Sequence, residues 1–201
     1  MEPVVTRPDK SNGYEEISSV FLAGRGSGKG VGIGVSVVAQ WAASLPRGAT
    51  VLDLGCGPGV PITTIFIERG FNVYGVDASR SMIAAFQARF PGIPVKCAAA
   101  EESDFFRRTF DAVVSWGLFF LLEAETQLKL IAKVAGALES GGRFLFTAPR
   151  QSCTWNDAMT GRISISLGHQ AYQRSMEAFG LTLVGTETDE GENYYYFAEK
   201  T

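Results

Sequence analysis

The run Val51-Leu52-Asp53-Leu54-Gly55-Cys56-Gly57-Pro58-Gly59 limits what this chain can fold into more than any other stretch. Residues of strand character lead into a glycine-rich turn, and a helix opens at about Val60. Glycines at such a turn admit positive φ and let a ligand approach bare main chain. A second apolar run, Asn72-Val73-Tyr74-Gly75-Val76, ends in an acid, Asp77. An acid about 20 residues past a glycine turn, at the end of the next strand, is placed to take the hydroxyls of a ribose.

Two nucleotide-type ligands suit that layout. A dinucleotide fingerprint is G-x-G-x-x-G, with pyrophosphate on the helix N-terminus. Here Val60 stands where the third glycine would fall, and Asp53 sits two residues before the first. A carboxylate so close repels a pyrophosphate and attracts an ammonium group. A ligand with a ribose at one end and an amino-acid ammonium at the other is S-adenosylmethionine. The sequence from about Thr50 to Phe146 resembles the class I S-adenosylmethionine-dependent methyltransferases, whose motif D-x-G-x-G-x-G is present as Asp53, Gly55, Gly57 and Gly59.

The remaining pattern alternates. Strands are expected at 50–54, 72–76, 94–98, 111–115 and 143–147, with helices at 60–69, 80–90 and about 124–138. That order implies right-handed crossovers and a parallel sheet covered on both faces. A helix at 171–179 and strands at 181–185 and 194–197 follow, the last pair joined by turn chemistry at 189–193 into an antiparallel hairpin. The expected fold class is α/β: a Rossmann-like, mostly parallel seven-stranded sheet with one antiparallel strand at its C-terminal end. Ahead of it, Tyr14, Ile17, Val20 and Phe21 at helical spacing and an apolar helix from Val31 to Leu45 form an N-terminal helical cover. The division expected is a single domain, with the cover at 1–45, a cofactor-binding core at 46–148 and an acceptor side at 149–201. Residues 1–13 are expected to fray.

At 201 residues the chain suits one core. A net charge of -3 gives no electrostatic footprint for nucleic acid. No apolar stretch reaches the roughly 20 residues of a membrane span, and no apolar core follows the charges of the first residues as a signal peptide requires. Cys56, Cys97 and Cys153 suit neither a disulfide framework nor a metal site. The expectation is a reduced, cytoplasmic enzyme with no metal. Gly24-Arg25-Gly26-Ser27-Gly28-Lys29-Gly30 invites a phosphate-loop reading, but Ala23 and Gly30 break the pattern and no strand precedes it.

The resemblance implies roles for particular residues. Asp53, Gly55, Cys56, Gly57 and Gly59 would hold the methionine half of the cofactor. Asp77, with Ala78 beside it, would hold the ribose. Ala100 and Glu101 would meet the adenine, although Ala99 stands where many relatives carry Asp. Met82 either faces the adenine or fills the core. In methyltransferases of this type the segment before the first strand often folds over the cofactor, which implies that Arg25 pairs with its carboxylate and that Tyr14 lines the same pocket. Ser115 and Trp116 fall beside the sulfonium, where an aromatic ring would meet the cation by cation–π attraction. Phe119 and Trp155 would be apolar walls of an acceptor site covered by the long segment 149–167. His169 is the sole histidine; it is a candidate base or an ordinary helix-start residue. With Trp116 it is all the sequence offers as a catalytic group.

Methyl transfer is an in-line displacement that depends chiefly on alignment and desolvation. The slot after the fourth strand holds Ser115-Trp116-Gly117-Leu118, not the N-P-P-[YF] tetrapeptide of adenine and glutamine amide methylation. The reading is transfer to a small-molecule thiol, amine or acidic hydroxyl, leaving S-adenosylhomocysteine. The alternatives are a protein or RNA acceptor, a cofactor-binding module without turnover, and a nicotinamide-type oxidoreductase disfavoured by Asp53 and Val60. Oligomeric state is open.

Overall fold

A computed structural model describes residues 9–26 and 32–201, with the side chains of Arg25 and Gly26 outside that description. The proposed pairing of Arg25 and the first eight of the thirteen residues expected to fray lie outside it as well; residues 10–13 are instead held in turns, Asp9 accepting from the amides of Ser11 and Gly13.

The chain runs α1 (Ser18–Gly26), α2 (Val35–Ala43), β1 (Thr50–Leu54), α3 (Ile62–Glu68), β2 (Asn72–Asp77), α4 (Arg80–Arg89), β3 (Val95–Cys97) and β4 (Phe110–Ser115). It continues with α5 (Ala124–Ala137), β5 (Leu138–Thr147), β6 (Ser152–Asn156), β7 (Ile163–Leu167), α6 (His169–Ala178), β8 (Leu181–Thr188) and β9 (Tyr194–Lys200). Seven strands form one sheet in the order β3-β2-β1-β4-β5-β9-β8. Only β9 runs against its neighbours, paired antiparallel to both β5 and β8. This is the sheet the alternating pattern predicts.

Strand alternation distributes β1 between two layers. Val51 packs with Ile62, Ile65 and Phe66 of α3 and Val38 and Trp41 of α2 on one face. Leu52 and Leu54 point the other way, into a core shared with Leu130, Ile131 and Val134 of α5 and Tyr172 and Met176 of α6. Asp53 has the parity of Val51, so it faces α3. The strand order reverses direction between β1 and β4, and in open α/β sheets such a switch point opens a crevice at the carboxyl ends of the strands.

Two departures bear on the site. The segment 149–167, expected as a long covering connection, contains a second two-stranded sheet, β6 paired antiparallel with β7. Asp157 organises its turn by accepting from the amides of Met159 and Thr160 at 2.9 and 2.8 Å. The N-terminal helix begins at Ser18, and residues 10–17 ahead of it are turns held by side chains.

Gly59 is set by packing. Its φ is +80°, and a Cβ there would come within 2.4 Å of the Phe90 ring and 2.9 Å of Phe86. Gly59→Ala combines left-handed strain with overpacking and lowers stability by about 2–4 kcal/mol. The expected fall in Tm is roughly 5–15 °C for a domain of this size, measured by thermal unfolding. A variant melting within a degree or two of the parent would contradict the close approach of α4 to the glycine turn.

Candidate functional site

A cavity of about 590 Å³ opens at the carboxyl ends of β1, β2 and β4. That volume falls in the range of roughly 300–1,000 Å³ typical of small-molecule sites. Its floor is the glycine turn (Gly55, Cys56, Gly57, Pro58) with Asp53 and Asp77 at the strand ends. One wall is Ala78, Met82, Ala99, Ala100 and Glu101; the opposite wall is Trp116, Gly117, Leu118 and Phe120 to Leu122. Val20, Phe21 and Gly24 of α1 roof it, together with Lys10 to Asn12 and Tyr14.

The floor carries two acids, Asp53 buried and Asp77 half-buried. Asp53 is 1% exposed, and Thr63 of α3 donates its hydroxyl to Oδ2 at 2.6 Å. Burial pushes the Asp53 carboxyl up to about 7, and the nearby Asp77 adds to the rise against the Thr63 hydrogen bond. Asp77 accepts from the amide of Gly57 at 2.9 Å and from that of Ser79 at 2.8 Å. Its carboxyl is raised as well, first by burial and further by the charge of Glu15, against the lowering effect of those two amides. Neither acid is in an ion pair with a described residue. Two neighbouring, poorly solvated carboxylates without a counter-cation favour a ligand that brings positive charge.

Glu101 presents the same kind of opening. Its Oε1 accepts from Lys10 Nζ at 3.1 Å, whereas its buried Oε2 has no hydrogen-bond partner among the described residues. An orphaned carboxylate oxygen in a cavity wall suits a ligand N–H donor. Lys133 of α5 fixes this corner from behind, donating to the carbonyls of Ala100 and Glu101 at 3.2 and 2.8 Å.

The roof is pinned on both sides. Glu15 accepts from Ser79 Oγ at 2.5 Å, from the Ser81 amide at 3.1 Å and from Ser81 Oγ at 2.8 Å, at the N-terminus of α4. A carboxylate there complements both the free amides and the helix dipole. On the other side Arg162, following the β6–β7 turn, pairs with Asp9 at 3.0 Å and Glu16 at 2.8 Å. Tyr14 reaches the same turn through its hydroxyl, 3.4 Å from Asp157 Oδ2.

The structure brings Tyr14, Asp53, Gly55, Cys56, Gly57, Asp77, Ala78, Met82, Ala100, Glu101 and Trp116 together around one cavity. Other residues singled out in the sequence do not line it. Gly59 packs under α4. Ser115 is fully buried, its hydroxyl donating to the Leu54 carbonyl at 3.2 Å. Phe119 is a correction: a 3-10 turn over Phe119–Leu121 swings it into the core against Phe144 and Phe146, and Phe120 takes its place in the wall. Trp155 stands one layer back, its ring 5.5 Å from that of Phe120. His169 is stacked on Tyr196 at 5.8 Å and also lies outside the cavity, with its buried Nδ1 unpartnered among the described residues. As a base for chemistry in this cavity it is misplaced.

Sequence reasoning missed Thr63, Glu15 and Lys133, whose contributions are long-range contacts. Thr63 had a signal, the polar pair Thr63-Thr64 in the first turn of a largely apolar helix. Among the described residues no group of His, Cys, Asp or Glu could hold a metal ion, and no helix is long and apolar enough to cross a membrane.

Comparison with known proteins agrees with this architecture. Residues 51–142 match the model of the methyltransferase domain family. The cypemycin N-terminal methyltransferase of a Streptomyces species is 32% identical over 145 residues, which is 70% of this chain and 55% of that protein. An uncharacterized methyltransferase of Bacillus cytotoxicus is 33% identical over 101 residues, 48% of this chain and 45% of that protein. The chain therefore spans about half the length of these curated relatives.

Among solved structures, the S-adenosylmethionine-bound amino pentose methyltransferase of calicheamicin biosynthesis from Micromonospora echinaspora superposes with a TM-score of 0.73 at 20% identity, covering 91% of this chain and 97% of that one. The Burkholderia thailandensis 1,6-didemethyltoxoflavin-N1-methyltransferase, with bound 1,6-didemethyltoxoflavin and S-adenosylhomocysteine, gives 0.70 at 20% identity over 99% and 94%. Residues 51–142 are thus similar to a methyltransferase domain, and the Rossmann-like sheet described above is the fold shared with these structures.

Proposed function

We propose that this protein transfers a methyl group from S-adenosylmethionine to an amine nitrogen of a small molecule. The observation that carries the reading is the pair of acids, buried Asp53 and half-buried Asp77, flanking a glycine turn with no counter-cation among the described residues. Asp53 faces the ammonium of the cofactor, Asp77 its ribose diol, and the free oxygen of Glu101 its adenine amino group. When bound, the cofactor supplies an electrophilic methyl on a cationic sulfur. The nitrogen–carbon bond forms as the sulfur–carbon bond breaks, S-adenosylhomocysteine leaves as the neutral thioether, and the extra proton on nitrogen passes to water.

The choice of an amine rests on the acceptor side. Val20, Phe21, Phe120, Leu121 and Leu122 make it apolar, and the sole histidine stands outside it. A neutral amine is nucleophilic without a base, so alignment and exclusion of water suffice. Two of the relatives named above carry descriptions consistent with nitrogen as acceptor, an N-terminal methyltransferase and an N1-methyltransferase.

Calorimetry with S-adenosylmethionine, joined to a labelled-methyl assay against amines, short peptides, thiols and phenols, tests the reading. Label in amines alone is the expected result. Label in thiols or phenols alone would replace the acceptor class, and binding without turnover of any acceptor would favour a cofactor-binding module.

A further inference from the structure

We infer that Asp189 and Tyr195 act as positioning residues for Trp116, bracing its indole against the cavity so that the site distinguishes a cationic methyl donor from its neutral product. This inference rests on the reading of the cavity as a site for S-adenosylmethionine.

The brace is a directed chain of hydrogen bonds. Trp116 Nε1 donates to the Tyr195 hydroxyl at 2.8 Å, and that hydroxyl donates to Asp189 Oδ2 at 2.7 Å. An indole N–H can only donate and a phenol has one proton, so a carboxylate at the far end fixes the order of donation. Asp189 remains ionised for a visible reason. Burial alone would raise its carboxyl, but the Asn193 side chain, the Tyr195 hydroxyl and the amides of Asn193 and Gly191 more than offset that and hold it below its ordinary value. Burial, reinforced by the Asp189 charge, raises the Tyr195 phenol, so the proton stays on the phenol.

The fold leaves this chain no slack. Tyr195 is fully buried on β9, and Asp189 sits in the β8–β9 turn, which its own side chain closes. Gly34, at the start of α2 with φ +73°, lies directly on the network: a Cβ there would come within 2.3 Å of the Tyr195 hydroxyl, 2.9 Å of Trp116 Nε1 and 3.1 Å of Asp189 Oδ2. Only a glycine lets α2 close over the three groups. Pairing of Asp53 with Val114 puts Gly55 and Trp116 level, two residues farther along their strands, so the braced indole stands beside the glycine turn. Hydrogen bonding of its N–H toward an anion withdraws the proton from the ring and makes its π face a better partner for a cation.

The two probes are S-adenosylmethionine and S-adenosylhomocysteine, which differ by the methyl group and the positive charge. For the unchanged protein, Tyr195→Phe and Asp189→Asn, calorimetric affinities for both are compared, with thermal unfolding alongside. The brace predicts that Tyr195→Phe weakens S-adenosylmethionine by roughly three- to thirtyfold, the span of a cation–π contact, while S-adenosylhomocysteine changes less than about twofold. Asp189→Asn shifts the ratio the same way, and it carries the test if Tyr195→Phe does not fold. General damage to the site would weaken both probes together, so an unchanged affinity ratio in the folded variants overturns the inference and leaves the cofactor reading intact. Failure of the unchanged protein to bind either probe overturns both.

Discussion

Asp77→Ala lowers the affinity for S-adenosylmethionine, and equally for S-adenosylhomocysteine, by roughly ten- to a hundredfold. The size follows from losing charge-assisted hydrogen bonds to a ribose diol, worth about 1.5–3 kcal/mol. Equal loss for both nucleosides is the distinguishing feature, because the ribose is common to them and lies away from the sulfur. The same carboxylate ties the Gly57 amide to that of Ser79 at the start of α4. Asp77→Asn keeps an acceptor for one of those amides while removing the charge, so it separates charge from architecture. Its affinity is expected between those of the parent and Asp77→Ala. Calorimetry on folded protein reads all three, and parental affinity in Asp77→Ala would remove the ribose from the end of β2.

The sheet and the floor of the site were legible in the residues because both depend on local patterns. The apolar run from Val51 to Leu54, the spacing from the glycine turn to Asp77 and the turn chemistry between β8 and β9 are each contained in a short window. What escaped depends on distant parts of the chain or on one-residue geometry. Phe119 and Phe120 are indistinguishable by composition, and only the 3-10 turn decides which faces the cavity. The β6–β7 hairpin offered a signal in Ile163-Ser164-Ile165-Ser166-Leu167, an alternation of strand period. Its partner Ser152–Asn156 has almost every residue exposed and no such pattern, which made the segment read as a loop. Glu15 meets Ser79 across 64 residues and Trp116 meets Tyr195 across 79; no periodicity encodes such contacts.

Asp53→Asn abolishes a pH dependence that the parent is expected to show. In the folded, ligand-free protein the Asp53 carboxyl titrates at about 7, against an ordinary value of 3.8. The folded state thus holds this proton more tightly than the unfolded chain. Its contribution to stability is fully present below pH 3.8, declines as pH rises and is gone above about 7. An ammonium beside the residue acts in the opposite sense, since it needs the carboxylate. Binding therefore expels the proton. Affinity for S-adenosylmethionine climbs by up to about tenfold per pH unit between roughly pH 5.5 and 7, then levels. Calorimetry in buffers of different ionisation enthalpy reads the proton release directly. The asparagine variant binds about ten- to a hundredfold more weakly at pH 8, shows a flat profile across that window and releases no proton. Without ligand it resists urea better than the parent at pH 8, by on the order of 1–3 kcal/mol, because a buried charge has been removed while Thr63 retains an acceptor. An asparagine variant that kept the parental pH profile would assign the proton to another group and dissociate the cofactor's ammonium from the end of β1.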